Sequence, residues 1–304
     1  MRPQIVALAL VLALPVTATA ALAVPVEIPD LLWTKVDAVF DATGKDLPGG
    51  VHRFGWPRRD LHVRVGDVEV APALALGSWG AFLKTGGDGQ AMAMGDLVLL
   101  ETELTPVLTA LQAGGIDISA IHNHLVNELP HVIYVHFSAH GDAVAIAANL
   151  KKALEQTATP LSAAPPAASA TPQPADTKAY DAVQQALGRK GSLAGTVLQV
   201  GVPRAEKIEE NGMEIPASMG MATALNFQRV GDNVATTGDF VLLAAEVNTV
   251  IRELRAHGIA VTALHSHMLA ETPRLFFMHF WAVGNPEKIG AGLKAALAKV
   301  NVRP

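Results

Sequence analysis

The chain has 304 residues, 50% hydrophobic and 17% charged, which is enough apolar material for real cores and more than the roughly 150 residues of one usual domain. A formal net charge of -5 with 5% aromatic residues excludes the basic, stacking surface that nucleic-acid binding requires. Without a single cysteine, disulfides, thiolate catalysis and a cysteine-borne lipid anchor are excluded as well.

From the N-terminus, residues 1–23 read as a secretory signal peptide. Arg2 supplies the positive start, Ile5 to Leu14 the apolar run, and Ala18-Thr19-Ala20 or Ala21-Leu22-Ala23 the small residues for cleavage. A periplasmic or secreted protein is the expectation. The run is too short for a bilayer that needs about 20 apolar residues, so stable membrane insertion is not expected.

The next stretch, 30–156, reads as one mixed domain. A helix over 32–40 precedes short strand-like runs such as 61–70, broken by the turn signal Gly66-Asp67. Gly95-Asp96 reads as a turn into a buried strand over 97–100. Leu104, Val107, Leu108 and Leu111 then give helical spacing over 103–113, stopped by Gly114-Gly115. Glu103, at that helix start, suits the helix dipole. Strand runs at 116–124 and 132–139 flank a break at 127–130 and predict an antiparallel hairpin, and a helix over 142–154 closes the unit. Residues 157–177, rich in Ala, Pro, Ser and Thr, read as a linker without apolar payload.

Residues 178–304 repeat the pattern. Set Gly95-Asp96 on Gly238-Asp239 and the match runs without a gap from there to Leu154 on Leu297; about 26 of 60 aligned positions are identical, far beyond chance. Upstream, Pro57-Arg58 resembles Pro203-Arg204. The expected fold class is α+β: two tandem homologous domains that pack on each other, each an antiparallel sheet with helices on one face.

Seven of eleven histidines fall within the two hairpins. His122 and His124, two apart on a strand, would share a sheet face roughly 6 to 7 Å apart, with Glu128 at the turn and His136 across from His124 on the return strand. His265, His267, Glu271 and His279 repeat the set. A half-buried polar face is the simpler account of one such motif. Retention of all four residues in both diverged copies favours a metal or catalytic role. Imidazole and carboxylate suit several divalent transition metals, zinc foremost. Glu128 or Glu271 is then a candidate general base, and Arg274 a candidate contact for an anionic small-molecule ligand. Met268 and Met278 read as core filler.

His265-Ser266-His267, Glu271-Thr272-Pro273 and Phe277-Met278-His279-Phe280-Trp281, with Gly258-Ile259 before them and Gly284 after, resemble the LppY/LpqO family of exported bacterial proteins, whose domain has no assigned function. The first copy is a more divergent version of the same pattern. Some members of that family are lipoproteins, which this chain, lacking cysteine, does not match. The readings left open are a metal-binding protein with hydrolase chemistry, a metal-free phosphoesterase using paired histidines as acid and base, and a non-catalytic small-ligand module.

Overall fold

The computed structural model describes residues 30–161 and 174–303; the signal peptide expected over 1–23 lies outside them. In the first repeat the order is α1 (Leu31–Phe40), β1 (Lys45–Leu47), β2 (Val51–Pro57), β3 (Arg64–Val65), β4 (Val68–Glu69), α2 (Pro72–Ala75), β5 (Gly77–Lys84), β6 (Gln90–Leu100), α3 (Glu101–Ala113), β7 (Asp117–His122), β8 (Glu128–Leu129), β9 (Val132–Asp142) and α4 (Ala143–Leu154). The second repeat opens with α5 (Pro174–Leu187), β10 (Ser192–Ala194), β11 (Val197–Pro203), β12 (Glu209–Glu210) and β13 (Met213–Glu214). After a short 3-10 turn it continues through β14 (Ala222–Val230), β15 (Asn233–Leu243), α6 (Ala244–Ala256), β16 (Ala260–His265), β17 (Glu271–Thr272), β18 (Leu275–Gly284) and α7 (Pro286–Leu297).

Each repeat is an antiparallel sheet of six strands, ordered β1-β2-β5-β6-β9-β7 and β10-β11-β14-β15-β18-β16, with a small three-stranded sheet beside it. Period-two alternation assigns the faces. On β6 and β9, Leu97, Leu99, Val135 and Phe137 join the helix-side core with Val107, Leu111 and Leu150. Phe240, Leu242, Met278 and Phe280 do the same in the second repeat with Val250 and Leu293. The alternate residues face the other repeat. Met92 and Met94 share a core with Ile208, Ile215 and Met221, while Val63, Val70 and Leu74 share one with Val197 and Ala235. The arm preceding the central strands of each repeat thus laps over the sheet of the other, and Gln199 Nε2 and Asn226 Nδ2 donate to the carbonyls of Ala73 and Leu74 at 3.0 and 3.1 Å.

Two local expectations change. Gly95-Asp96 and Gly238-Asp239 are not turns: they lie inside the 11-residue strands β6 and β15. Glycine serves sheet packing there, because a Cβ on Gly95 would stand 2.2 Å from the Trp79 carbonyl oxygen and one on Gly238 would stand 1.9 Å from that of Ala224. Glu103 and Glu246 do more than meet a helix dipole. Arg58 Nη1 donates to Glu103 Oε2 at 2.7 Å and to the Val98 carbonyl at 2.8 Å, and Arg204 does the same with Glu246 and Val241 at 2.7 and 2.8 Å. Each buried guanidinium therefore ties the β2–β5 or β11–β14 corner to a central strand and the helix after it, with the charge pairing that a buried ion needs.

Candidate functional site

Strand pairing assembles the polar centre. The register sets Asp96 on β6 opposite His136 on β9, and Asp239 on β15 opposite His279 on β18. Directly opposed residues project from the same face, here the one turned toward the other repeat. The neighbouring edge strand β7 is irregular between Ile118 and Ala120, so that Ala120 faces His136 and His122 faces Tyr134. His136 is therefore not across from His124. The irregularity shifts the register, and the ladder ends at His122, leaving His124 in the bend beyond it. That bend is held from the other side: Thr262 Oγ1 donates to the His124 carbonyl at 2.7 Å, and Ser119 Oγ donates to the His267 carbonyl at 2.6 Å.

All six histidines meet between the two sheets. The His122 and His265 rings stack with centroids 3.8 Å apart, His124 lies 3.7 Å from His279, and His136 lies 3.9 Å from His267. The contacts obey the pseudo-twofold relation between the repeats, and each of these pairs takes one histidine from either side. Nε2 of His122 and His124 are 3.1 Å apart, and Nε2 of His136 and His265 are 3.2 Å apart. Asp96 Oδ2 stands 3.1 Å from His124 Nε2, and Asp239 Oδ2 stands 2.9 Å from His267 Nε2.

Backbone carbonyls fix the tautomers of two rings. His136 Nδ1 donates to the Gly95 carbonyl at 3.0 Å and His279 Nδ1 to that of Gly238 at 2.7 Å, so each presents an Nε2 lone pair to the centre. His279 Nε2 is buried without a hydrogen-bond partner, and so is His267 Nε2 despite its nearness to Asp239. Tyr134 and Phe277 lie against the rings of His124 and His267 with centroids 3.4 Å away, which restricts their rotation.

The electrostatics follow from burial. Desolvation, then the neighbouring imidazoles, hold His122, His124 and His265 far below the usual histidine range, and burial brings His267 down to about 3. His136 and His279 are lowered by burial too, partly opposed in His279 by the charge of Asp239. The carboxylates move the other way: burial raises Asp239 to about 6, and burial followed by the negative charge of Asp239 raises Asp96 well above the carboxylate range. Six imidazoles whose protonation burial disfavours, beside two carboxyl groups whose ionisation burial opposes, form a basin that a cation would relieve. Arg53, stacked 4.2 Å over Trp79, lies close enough to Asp96 for the two charges to interact.

Glu128 and Glu271, the expected bases, are engaged elsewhere. The Glu271 carboxylate accepts the Leu275 amide at 2.9 Å and Glu128 accepts that of Val132 at 3.4 Å, closing the turn around the cis prolines Pro130 and Pro273. Neither belongs to the groups of converging ligand atoms, which are His122–His136–His265, His122–His124–His279 and Asp239–His265–His267, each within 4.8 Å. Arg274 also serves the turn, donating to the Met268 carbonyl, Glu271 and Ser266 at 3.1, 3.2 and 2.9 Å. The carboxylates beside the histidines are Asp96 and Asp239, whose signal in the sequence was a Gly-Asp pair kept in both copies. Met268 lies in the buried core shared by the repeats.

A family profile described as Domain of Unknown Function (DUF1259) matches residues 34–156 and again 181–299, once for each repeat. No curated protein matches the chain significantly. A solved structure titled "Structure of crystal form I of TP0453" aligns over 85% of this chain and 96% of its own at 11% identity, with a TM-score of 0.19, a value from which no shared fold follows.

Proposed function

The chain belongs to the family described as Domain of Unknown Function (DUF1259), and from that premise, which brings no activity with it, we propose that the protein binds a divalent transition metal in the histidine cluster between its repeats. The LppY/LpqO resemblance rests on motif residues and adds no activity either. The observation that carries the proposal is the set of short contacts between ligand atoms. With metal–nitrogen bonds of about 2.0–2.1 Å, neighbouring ligand atoms stand roughly 3.0–3.4 Å apart, and the Nε2 pairs at 3.1 and 3.2 Å and the His124–Asp96 contact at 3.1 Å lie in that range. His267 and Asp239 come to 2.9 Å without forming a hydrogen bond, the relation of two groups aimed at a third.

The donor set of imidazole and carboxylate suits zinc first. A bound ion would supply Lewis acidity and a water acidic enough to attack near neutral pH, which makes hydrolysis the reaction class proposed. The chain's own contribution is orientation. Gly95 and Gly238 hold the rings of His136 and His279, the apolar cores on either side limit water, and His122 and His265 are only partly buried. The metal-free acid–base reading loses support here, because burial disfavours the protonated imidazole that such an acid requires.

Elemental analysis of full-length protein purified without a histidine tag tests this, beside the variant His122→Ala/His124→Ala/His265→Ala/His267→Ala checked for folding by circular dichroism. Stoichiometric metal in the wild type, lost in the folded variant, is expected. Metal-free wild type that takes up no zinc, manganese, iron, nickel or copper on dialysis overturns it.

A further inference from the structure

Resting on the metal-binding reading above, we infer that the cluster holds two ions, each bound by three histidines and one aspartate, and that each set is completed by a histidine of the other repeat. The first set is Asp96, His122 and His124 with His279; the second is Asp239, His265 and His267 with His136. Nitrogens of His122, His124 and His279 converge within 4.8 Å, as do the ligand atoms of Asp239, His265 and His267. Asp96 and His136 join these groups through contacts of 3.1 Å to His124 and 3.2 Å to His265.

No residue serves in both sets, and all eight side chains are used once. The two sets also correspond under the repeat relation: His124 lies 3.7 Å from His279 and His267 lies 3.9 Å from His136. They abut at the stacked rings of His122 and His265, whose nitrogens lie within 4.8 Å of that of His136. Charge supports two ions over one. Each set carries one carboxylate, Asp96 beside His124 or Asp239 beside His267, and a single divalent ion on the pseudo-twofold axis, held by His122, His136, His265 and His279, would leave both aspartates and the outer histidines off the metal. Two-metal hydrolytic sites characteristically place their ions about 3.5–4 Å apart, a spacing compatible with sets that touch.

The crossing ligands give the test. Metal-free full-length protein is dialysed against zinc and its bound metal counted, for the wild type and for His279→Ala, His136→Ala and the double variant, with Asp96→Asn and Asp239→Asn as substitutions of nearly equal size. Expected are two ions per wild-type chain, one in either single histidine variant with far-ultraviolet circular dichroism unchanged, and none in the double. The aspartate variants should each weaken one ion about tenfold or more and spare the other. One ion in the wild type, abolished by either histidine variant, overturns the two-ion assignment and leaves metal binding standing. No ion in the wild type overturns metal binding itself.

Discussion

Two glycines show how much of the site hangs on single residues. Gly238 offers its carbonyl to His279 Nδ1 at 2.7 Å, and its α-carbon faces the Ala224 carbonyl so closely that a Cβ would come to 1.9 Å. Gly238→Ala must therefore push β14 from β15 and turn the carbonyl that aims the ring. A loss of about 1–3 kcal/mol in urea unfolding is expected from the overpacking. On the metal binding proposed above, zinc affinity should fall roughly 10- to 100-fold from loss of the partner that orients His279, read by competition with a chromophoric chelator. Retention of Gly95 and Gly238 in both copies was visible in the sequence, but a Gly-Asp pair ordinarily signals a turn. Only the strand pairing reveals that the glycine is there for want of space and that the aspartate beside it faces the histidines. The six histidines were legible because duplication preserved them. The partner carboxylate was misplaced, since Glu128 and Glu271 keep the expected spacing while pointing into the cis-proline turn.

At the scale of elements, the helices that follow the central strands were legible from periodicity and stop signals. Residues 103–113 read as helical and α3 spans Glu101–Ala113; residues 142–154 read as the closing helix and α4 spans Ala143–Leu154, with the Asp142 side chain accepting from Ala145. What holds the elements to one another was harder to read. Arg58 is fully buried, and its guanidinium joins Glu103 on α3 and the carbonyl of Val98 on β6, a contact 45 residues apart in sequence. Glu103→Ala removes the cap on the Leu100 amide as well as the partner of a buried charge. Breaking such a pair costs about 3–5 kcal/mol, with Asp60, 2.8 Å from Nη2, keeping the loss toward the low end. The urea midpoint of the Glu103→Ala protein should fall accordingly, and a midpoint within error of wild type would refute the role assigned to the pair. Resemblance of Pro57-Arg58 to Pro203-Arg204 and retention of Glu103 as Glu246 were its traces in the sequence.

Across the whole molecule, the repeats are joined by interleaved arms, two shared apolar cores and the polar centre between them. Among the described residues no helix is long and apolar enough to cross a membrane. A ligand that binds only the folded state stabilises it by about 2.7 kcal/mol at a hundred times its Kd, and a metal held as proposed, by side chains of both repeats, would convey that stabilisation to both. Removing metal with a chelator should lower the thermal midpoint as one transition that includes both repeats, and adding zinc back should restore it; scanning calorimetry that shows one repeat melting early while the other is unmoved would contradict the shared site.

The sequence by itself determined the duplication, the α+β class, the helix and strand order of the second half of each repeat and the identity of the six histidines, because these depend on local periodicity and on residues kept in register between copies. Tertiary structure alone decided that the two clusters form one centre, that Asp96 and Asp239 and not Glu128 and Glu271 stand beside the imidazoles, and that Arg58 and Arg204 hold the corners. Those outcomes depend on strand register, on one irregularity in each of β7 and β16 and on how two sheets face each other, and such long-range geometry leaves no periodic mark along the chain.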